Sequence, residues 1–175
     1  EDCVFRNNTV MGGSSYNGGG AYASSSTIAN CRFMENNAYN GGGLWATESS
    51  VSNCLVSGNM ARNQGGGVFA NYNCQLTGCE IIGNSAGYGG GIFSSNNYLN
   101  TGNTFNHCKL SNNSASNGGG MYGSYVNVQN CLVSNNTATS NGGGLTLNAT
   151  SLLKNTTIVR NLSGEDGSGV YGGNN

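Results

Sequence analysis

Residues 53–61 read NCLVSGNMA and residues 65–69 read GGGVF, and this pair of motifs recurs along the chain. Residues 30–38 read NCRFMENNA before GGGLW at 41–45, and residues 130–138 read NCLVSNNTA before GGGLT at 142–146. Seven copies occupy the chain at a period of roughly 24 residues. Apolar residues in each copy alternate and follow no helical period, which favours short strands over helical repeats.

The cysteine of each copy serves as position zero, and position +2 is apolar in every copy. Side chains alternate along a strand, so positions zero and +2 share one face, which we assign to the interior. Strands that repeat once per coil and stack in parallel form a β-helix. We therefore predict an all-β fold, a parallel β-helix solenoid of about seven coils, in a single domain over residues 1–175. The chain starts and closes inside the repeat, so we interpret it as a fragment of a longer chain or a stacking unit.

Position +5 is asparagine in every copy, which predicts a ladder of buried side-chain amides. Asparagine tolerates the left-handed conformation of a sharp corner. Stacked coils lie about 4.8 Å apart, so each amide reaches the next one and nearby backbone groups. Asparagine is common throughout this chain, but a column without exception favours the ladder. Its members are Asn8, Asn36, Asn59, Asn84, Asn113, Asn136 and Asn161.

Six of the seven cysteines form one inward column, and the seventh, Cys74, lies off it. Parallel Cβ vectors favour a column of free thiols that pack as small apolar side chains. Stacked coils also bring the Cα atoms within disulfide range, so disulfides between alternate pairs of coils are the second alternative. No CxxC spacing occurs and His107 is the single histidine, so we expect no zinc site and no metal. The column consists of Cys3, Cys31, Cys54, Cys79, Cys108 and Cys131.

A further strand follows each glycine triplet, and its second residue is aromatic in six of seven copies. If the aliphatic first residue faces inward, the aromatic residues face outward and form a contact stripe for another protein or for sugar rings. The opposite orientation would bury them as ordinary core. The stripe consists of Tyr22, Trp45, Phe69, Phe93, Tyr122 and Tyr171.

Charged residues make up only 7% of the chain, and the formal net charge is −1. This excludes the basic surface of a nucleic-acid-binding protein, and no apolar run is long enough for a membrane span. The few carboxylates are scattered, and Glu80 stacked over Lys109 is interpreted as a surface ion pair. We therefore expect no catalytic residues, no enzymatic activity and no cofactor.

The repeats resemble the middle domain of the polymorphic outer membrane proteins and, more broadly, the right-handed parallel β-helix proteins of the pectate-lyase-like fold. That family carries repeated FxxN and GGA[ILV] motifs. Here FRNN stands at 5–8 and FMEN at 33–36, and a third glycine replaces the alanine of GGA[ILV] in most copies. The resemblance covers nearly all of the chain and implies a right-handed coil, secretion, display at the cell surface and adhesion.

These observations favour a non-enzymatic structural module of a secreted or cell-surface protein, which acts in adhesion or in extracellular filament assembly. The expected partners are further copies of itself, other surface proteins or glycans, without nucleic acid and without membrane insertion by this segment. The expected location is extracellular or at the cell surface, associated with the outer membrane if the resemblance holds. The alternative is a β-helix that binds or processes polysaccharides. Insertions at 9–17 and within 96–103 mark loops where such a function would lie.

Overall fold

The computed structural model describes residues 1–13, 16–95 and 102–172. The described chain folds into seven successive coils, each of which starts at a member of the cysteine column or, in coil 7, at Thr156. All strand pairs are parallel and join each coil to the next. This confirms the predicted all-β solenoid with about seven coils and a right-handed course.

Four stacks of strands form the walls, numbered here in the order in which one coil passes through them. Sheet 1 follows the cysteine and consists of Val4–Arg6, Arg32–Met34, Leu55–Ser57, Glu80–Ile82, Lys109–Ser111, Leu132–Ser134 and Thr157–Val159. Sheet 2 follows the ladder asparagine and consists of Asn37–Asn40, Met60–Gln64, Ser114–Ala115, Thr137–Ala138 and Leu162–Ser163. Isolated bridges at Ser85 connect its two parts, and a bridge from Thr9 to Asn37 extends it to coil 1.

Sheet 3 follows the glycine triplet, and sheet 4 leads into the next cysteine. Sheet 3 consists of Ala21–Ser24, Leu44–Thr47, Val68–Asn71, Ile92–Ser95, Met121–Ser124, Leu145–Asn148 and Val170–Gly172. Sheet 4 consists of Thr27–Ala29, Ser50–Ser52, Gln75–Thr77, Asn103–Asn106, Val126–Gln129 and Leu152–Lys154. The insertion predicted within 96–103 falls mostly on 96–101, outside the described residues.

The register aligns identical repeat positions, so the core is a set of stacked columns. Phe33, Val56 and Ile81 pair successively in sheet 1, while Leu44 and Val68 pair in sheet 3. All five side chains are fully buried. One coil alone has no second apolar layer to cover its inward side chains, and the neighbouring coils supply it.

The left-handed backbone of the corner lies one residue before the position that the sequence predicted. The ladder asparagines themselves are not left-handed; positive φ occurs at position +4, for example 57° at Asn7, 64° at Gly58 and 56° at Asn112. The expectation that the +5 asparagine adopts this conformation is therefore wrong. The left-handed residue turns the chain between sheets 1 and 2, and this turn directs the following asparagine side chain into the coil.

Candidate functional site

A continuous ladder of amides lies inside the corner between sheets 1 and 2. The Asn84 Nδ2 donates to Oδ1 of Asn113 at 3.0 Å and to the carbonyl oxygen of Val56 at 2.9 Å. The Asn84 backbone N–H donates to the same Asn113 oxygen at 2.9 Å. The equivalent bonds join every successive pair from Asn8 to Asn161. The five interior asparagines are almost completely buried, so the ladder satisfies polar groups that water cannot reach.

The third glycine of each triplet packs against this ladder. A Cβ on Gly67 would lie 2.7 Å from the carbonyl oxygen of Gly91 and 3.0 Å from Nδ2 of Asn84. A Cβ on the middle glycine, Gly66, would overlap the carbonyl oxygens of Ser85 and Gly90. In the first six triplets the middle and third glycines therefore lie too close to the next coil for a side chain.

The sequence did not predict two further groups of amide contacts. On sheet 2, Asn40 donates from Nδ2 to Oδ1 of Asn17 at 3.0 Å and accepts from Nδ2 of Asn63 at 3.2 Å. At the exposed corner after sheet 4, Asn130 donates to Oδ1 of Asn106 at 2.9 Å. The signal was present as asparagine at equal spacing, but only the register shows which of these amides meet.

Five of the column cysteines, from Cys31 to Cys131, are buried and free, whereas Cys3 is free and exposed. Backbone bonds of 2.9 Å from Glu80 to the carbonyl oxygen of Cys54 and from Lys109 to that of Cys79 fix the stacking. The Cys54 Sγ accepts the backbone N–H of Cys31 at 3.4 Å. In coil 7 the Oγ1 of Thr156 accepts the N–H of Cys131 in the same way.

Hydrogen bonding and burial shift the pKa values of the buried thiols in both directions. Hydrogen bonds with the neighbouring Cys108 lower the pKa of Cys79 and of Cys131. The hydrogen bond with Cys79, followed by burial, raises the pKa of Cys54. Hydrogen bonds with Cys131 and Cys79, followed by burial, raise the pKa of Cys108. Burial also raises the pKa of Cys74, whose Sγ lies 3.4 Å from the carbonyl oxygen of Ala46.

The aromatic residues lie on the outer face of sheet 3, opposite the buried aliphatic column, and five of them stack on one another. Tyr171 pairs with Thr146 and is not part of the stack. The rings of Trp45 and Phe69 are 3.8 Å apart and inclined by 8°, and those of Phe93 and Tyr122 are 5.4 Å apart and inclined by 5°. Phe69 is only 6% exposed because its neighbours cover both ring faces, whereas Tyr22 is 61% exposed. The stack therefore presents mainly ring edges to solvent. Its members in contact are Tyr22, Trp45, Phe69, Phe93 and Tyr122, and Tyr88 packs edge-on against Tyr122.

Among the described residues, the charged side chains form few contacts with one another. Glu80 and Lys109 are paired in register, but their side chains form no ion pair, so that interpretation was wrong. In the described part of the chain the ion pair within 4.0 Å joins Arg6 and Glu35 at 3.0 Å, and both side chains are more than half exposed. In the same part, no three His, Cys, Asp or Glu side chains surround a point where a metal ion would bind.

The family model for the right-handed β-helix region matches residues 1–122, which is more than half of the chain. The chain belongs to the right-handed β-helix family. A second model, the Chlamydia polymorphic membrane protein repeat, matches residues 130–147 of this β-helix protein. A comparison with curated proteins finds no significant match. Across the described residues, no helix is long and apolar enough to cross a membrane.

Proposed function

We propose that this β-helix is a structural module of a secreted or cell-surface protein and that the outer face of sheet 3 docks a partner in adhesion. The β-helix fold and the membrane-protein repeat at 130–147 support a surface-exposed structural module. The observation that carries the docking proposal is the stacked aromatic column, an array of large apolar side chains outside the core.

The composition of this face suits adhesion to an uncharged surface. Among its described residues sheet 3 carries no acidic or basic side chain. Aromatic residues contribute large contact areas at low cost in conformational entropy, and stacking already fixes these rings. A rigid solenoid holds them in one line, so a partner meets a prepared surface. The carboxylates of the chain are scattered, and we propose that the module has no enzymatic activity.

The test compares two surface variants by electron microscopy and by binding of labelled protein to a panel of cells. The triple variant Tyr22→Ser, Trp45→Ser, Tyr122→Ser removes accessible aromatic area from sheet 3. The control, Leu55→Ser with Leu132→Ser, removes apolar area from the outer face of sheet 1. Adhesion predicts discrete rods, cell binding by the wild type and the control, and at least a tenfold loss in the triple variant.

Two results would contradict docking through this face: equal binding by the triple variant, or equal loss in the control. Ordered fibres that form from the wild type and fail to form from the triple variant would assign the face to filament assembly instead.

Binding to a neutral polysaccharide is the second candidate function. Beside the aromatic column, the outer positions two residues later in each strand are hydroxyl or amide side chains, namely Ser24, Thr47, Asn71, Ser95, Ser124 and Asn148. Such side chains bond sugar hydroxyls, but the covered ring faces leave little area for sugar stacking. Retarded migration in gels that contain neutral polysaccharide, abolished by Asn71→Ala with Thr47→Ala, would support this candidate.

A further inference from the structure

The column of buried thiols has a regular geometry that neither adhesion nor assembly uses. Cys31, Cys54, Cys79, Cys108 and Cys131 stand in successive coils with 4% exposure or less. Equivalent backbone bonds of 2.9–3.0 Å hold each one in the same register with the next coil. Five sulfurs in line have four gaps between them.

The cysteine side chains on either side of each gap are buried. The backbone N–H groups of Cys31 and Cys108 donate to the Sγ atoms of the next cysteines in the column, Cys54 and Cys131, at 3.4 Å, which places successive thiols beside one another. The remaining contacts are weak bonds to backbone groups, such as 3.6 Å from the Cys79 Sγ to the carbonyl oxygen of Thr77. In coil 7 the half-buried Thr156 takes the place of cysteine and accepts the backbone N–H of Cys131.

The spacing of the coils matches a linear sulfur–metal–sulfur unit. Parallel strands lie about 4.8 Å apart. A metal–sulfur bond of about 2.3 Å, the length found in zinc thiolates, fits twice into that distance. Each gap offers two sulfurs as side-chain ligands, which is too few for tetrahedral zinc. Soft monovalent ions with thiolate preference accept two sulfurs in a line. We propose that the buried thiol column binds soft monovalent cations, such as Cu(I) and Ag(I), each held between the sulfurs of two successive coils.

The reaction is a proton exchange without oxidation. One cation and two thiols give one thiolate–metal–thiol unit and release one proton to solvent, so the buried unit is neutral and avoids the cost of an isolated charge. Adjacent gaps share a sulfur. A sulfur that is bonded to a cation on one side cannot also bind a second cation on the opposite side along the column. Two gaps that share no sulfur therefore fill, and the column holds two cations. Local opening of a coil admits them.

The test is native mass spectrometry of the folded chain after incubation with Ag(I) under reducing, anaerobic conditions and removal of excess ion in buffer with free methionine. The Cys3→Ser variant is the starting protein, since Cys3 is an exposed thiol. We expect two silver ions per chain. Cys54→Ala and Cys108→Ala should each retain one ion, and the double variant should retain none.

Matched controls remove a thiol without removing a pair. Cys79→Ala leaves the pairs Cys31–Cys54 and Cys108–Cys131 and should keep two ions. Cys74→Ala removes a buried cysteine outside the column and should also keep two. Thr156→Cys lengthens the column to six sulfurs and should raise the count to three, a gain that a folding defect cannot produce.

X-ray absorption at the silver edge supplies a readout of geometry, with two sulfur neighbours expected around each ion. No retained silver in the folded starting protein would overturn the proposal. So would equal losses for all cysteine variants, no gain from Thr156→Cys, or three or more sulfur neighbours per ion. Circular dichroism of each variant verifies that the chain is folded when the ions are counted.

Discussion

One asparagine per coil carries most of the side-chain hydrogen bonding in the interior. The Asn84 side chain takes part in four hydrogen bonds, with Asn59, Asn113 and the carbonyl of Val56. Every partner is buried, so no water replaces a lost bond. The sequence predicted this column because its identity never varies. It did not predict the left-handed position, because asparagine occupies +4 as well as +5 in several copies and both sites accept it.

Replacing Asn84 with leucine should lower the free energy of unfolding by about 3 kcal/mol, since each buried polar group left without a partner costs roughly 1–3 kcal/mol. The matched control is Asn127→Leu, on the outer face of sheet 4, which should change stability by about 0.5 kcal/mol or less. Urea unfolding followed by circular dichroism measures both. Equal effects of the two variants would contradict the ladder as a major source of stability.

Gly66 and Gly83 are required for different reasons. Gly66 has no space for a side chain, whereas Gly83 has a left-handed backbone conformation. Gly66→Ala should destabilise the fold by about 3 kcal/mol or prevent folding, because its Cβ overlaps two carbonyl oxygens. Gly83 has a φ of 66° with open space around its Cα. Gly83→Asn should cost less than about 1 kcal/mol, since asparagine already adopts this conformation at Asn112 and Asn135. Thermal unfolding of the two variants would show the difference, and a loss at Gly83 as large as at Gly66 would refute it.

At the scale of the element, the register between neighbouring strands decides which side chains meet, and composition alone does not determine this. The alternation of sheet 3 follows from its sequence, because an aliphatic and a small residue flank each aromatic one. The sequence does not encode how the rings orient, and mutual stacking depends on side-chain angles that neighbouring coils fix together. For the same reason the pairing of Glu80 with Lys109 in register did not yield an ion pair: two flexible side chains on a solvated face gain little by meeting.

The single tryptophan reports on this stack. Phe69→Ala should expose a face of Trp45, shift its fluorescence emission to longer wavelength and lower stability by about 1 kcal/mol beyond the lost burial. Phe93→Ala removes a ring that lies against Phe69 rather than Trp45, and it should leave the emission unchanged. An unchanged spectrum in Phe69→Ala would show that the two rings do not stack in solution.

At the scale of the whole molecule, stability rests on stacked columns rather than on charge. The length of the period, the parallel strands and the single core all follow from the repeat, because every copy must satisfy the same position in the coil. The state of the thiols did not follow, since Cα spacing alone permits both free thiols and disulfides. The structure has free thiols, in accordance with the favoured alternative.

Buried free thiols predict that the free energy of unfolding decreases at alkaline pH. Burial raises the pKa of Cys74 in the folded state, so the unfolded chain loses this proton first. The stabilisation from Cys74 is complete below the unfolded thiol pKa of about 8.5 and falls above it by roughly 1.4 kcal/mol per pH unit. Urea unfolding at pH 8 and 9.5 measures the fall, and Cys74→Ala should reduce it. A flat profile would contradict buried, protonated thiols.

The amide ladder also has a direction. Six side-chain carbonyl groups, from Asn36 to Asn161, each accept bonds from the preceding coil, so all six point toward the start of the chain. Parallel amide dipoles add along an axis, as they do in an α-helix. The solenoid therefore carries a permanent electric moment along its length, and it should orient in an applied field with its two ends distinguished.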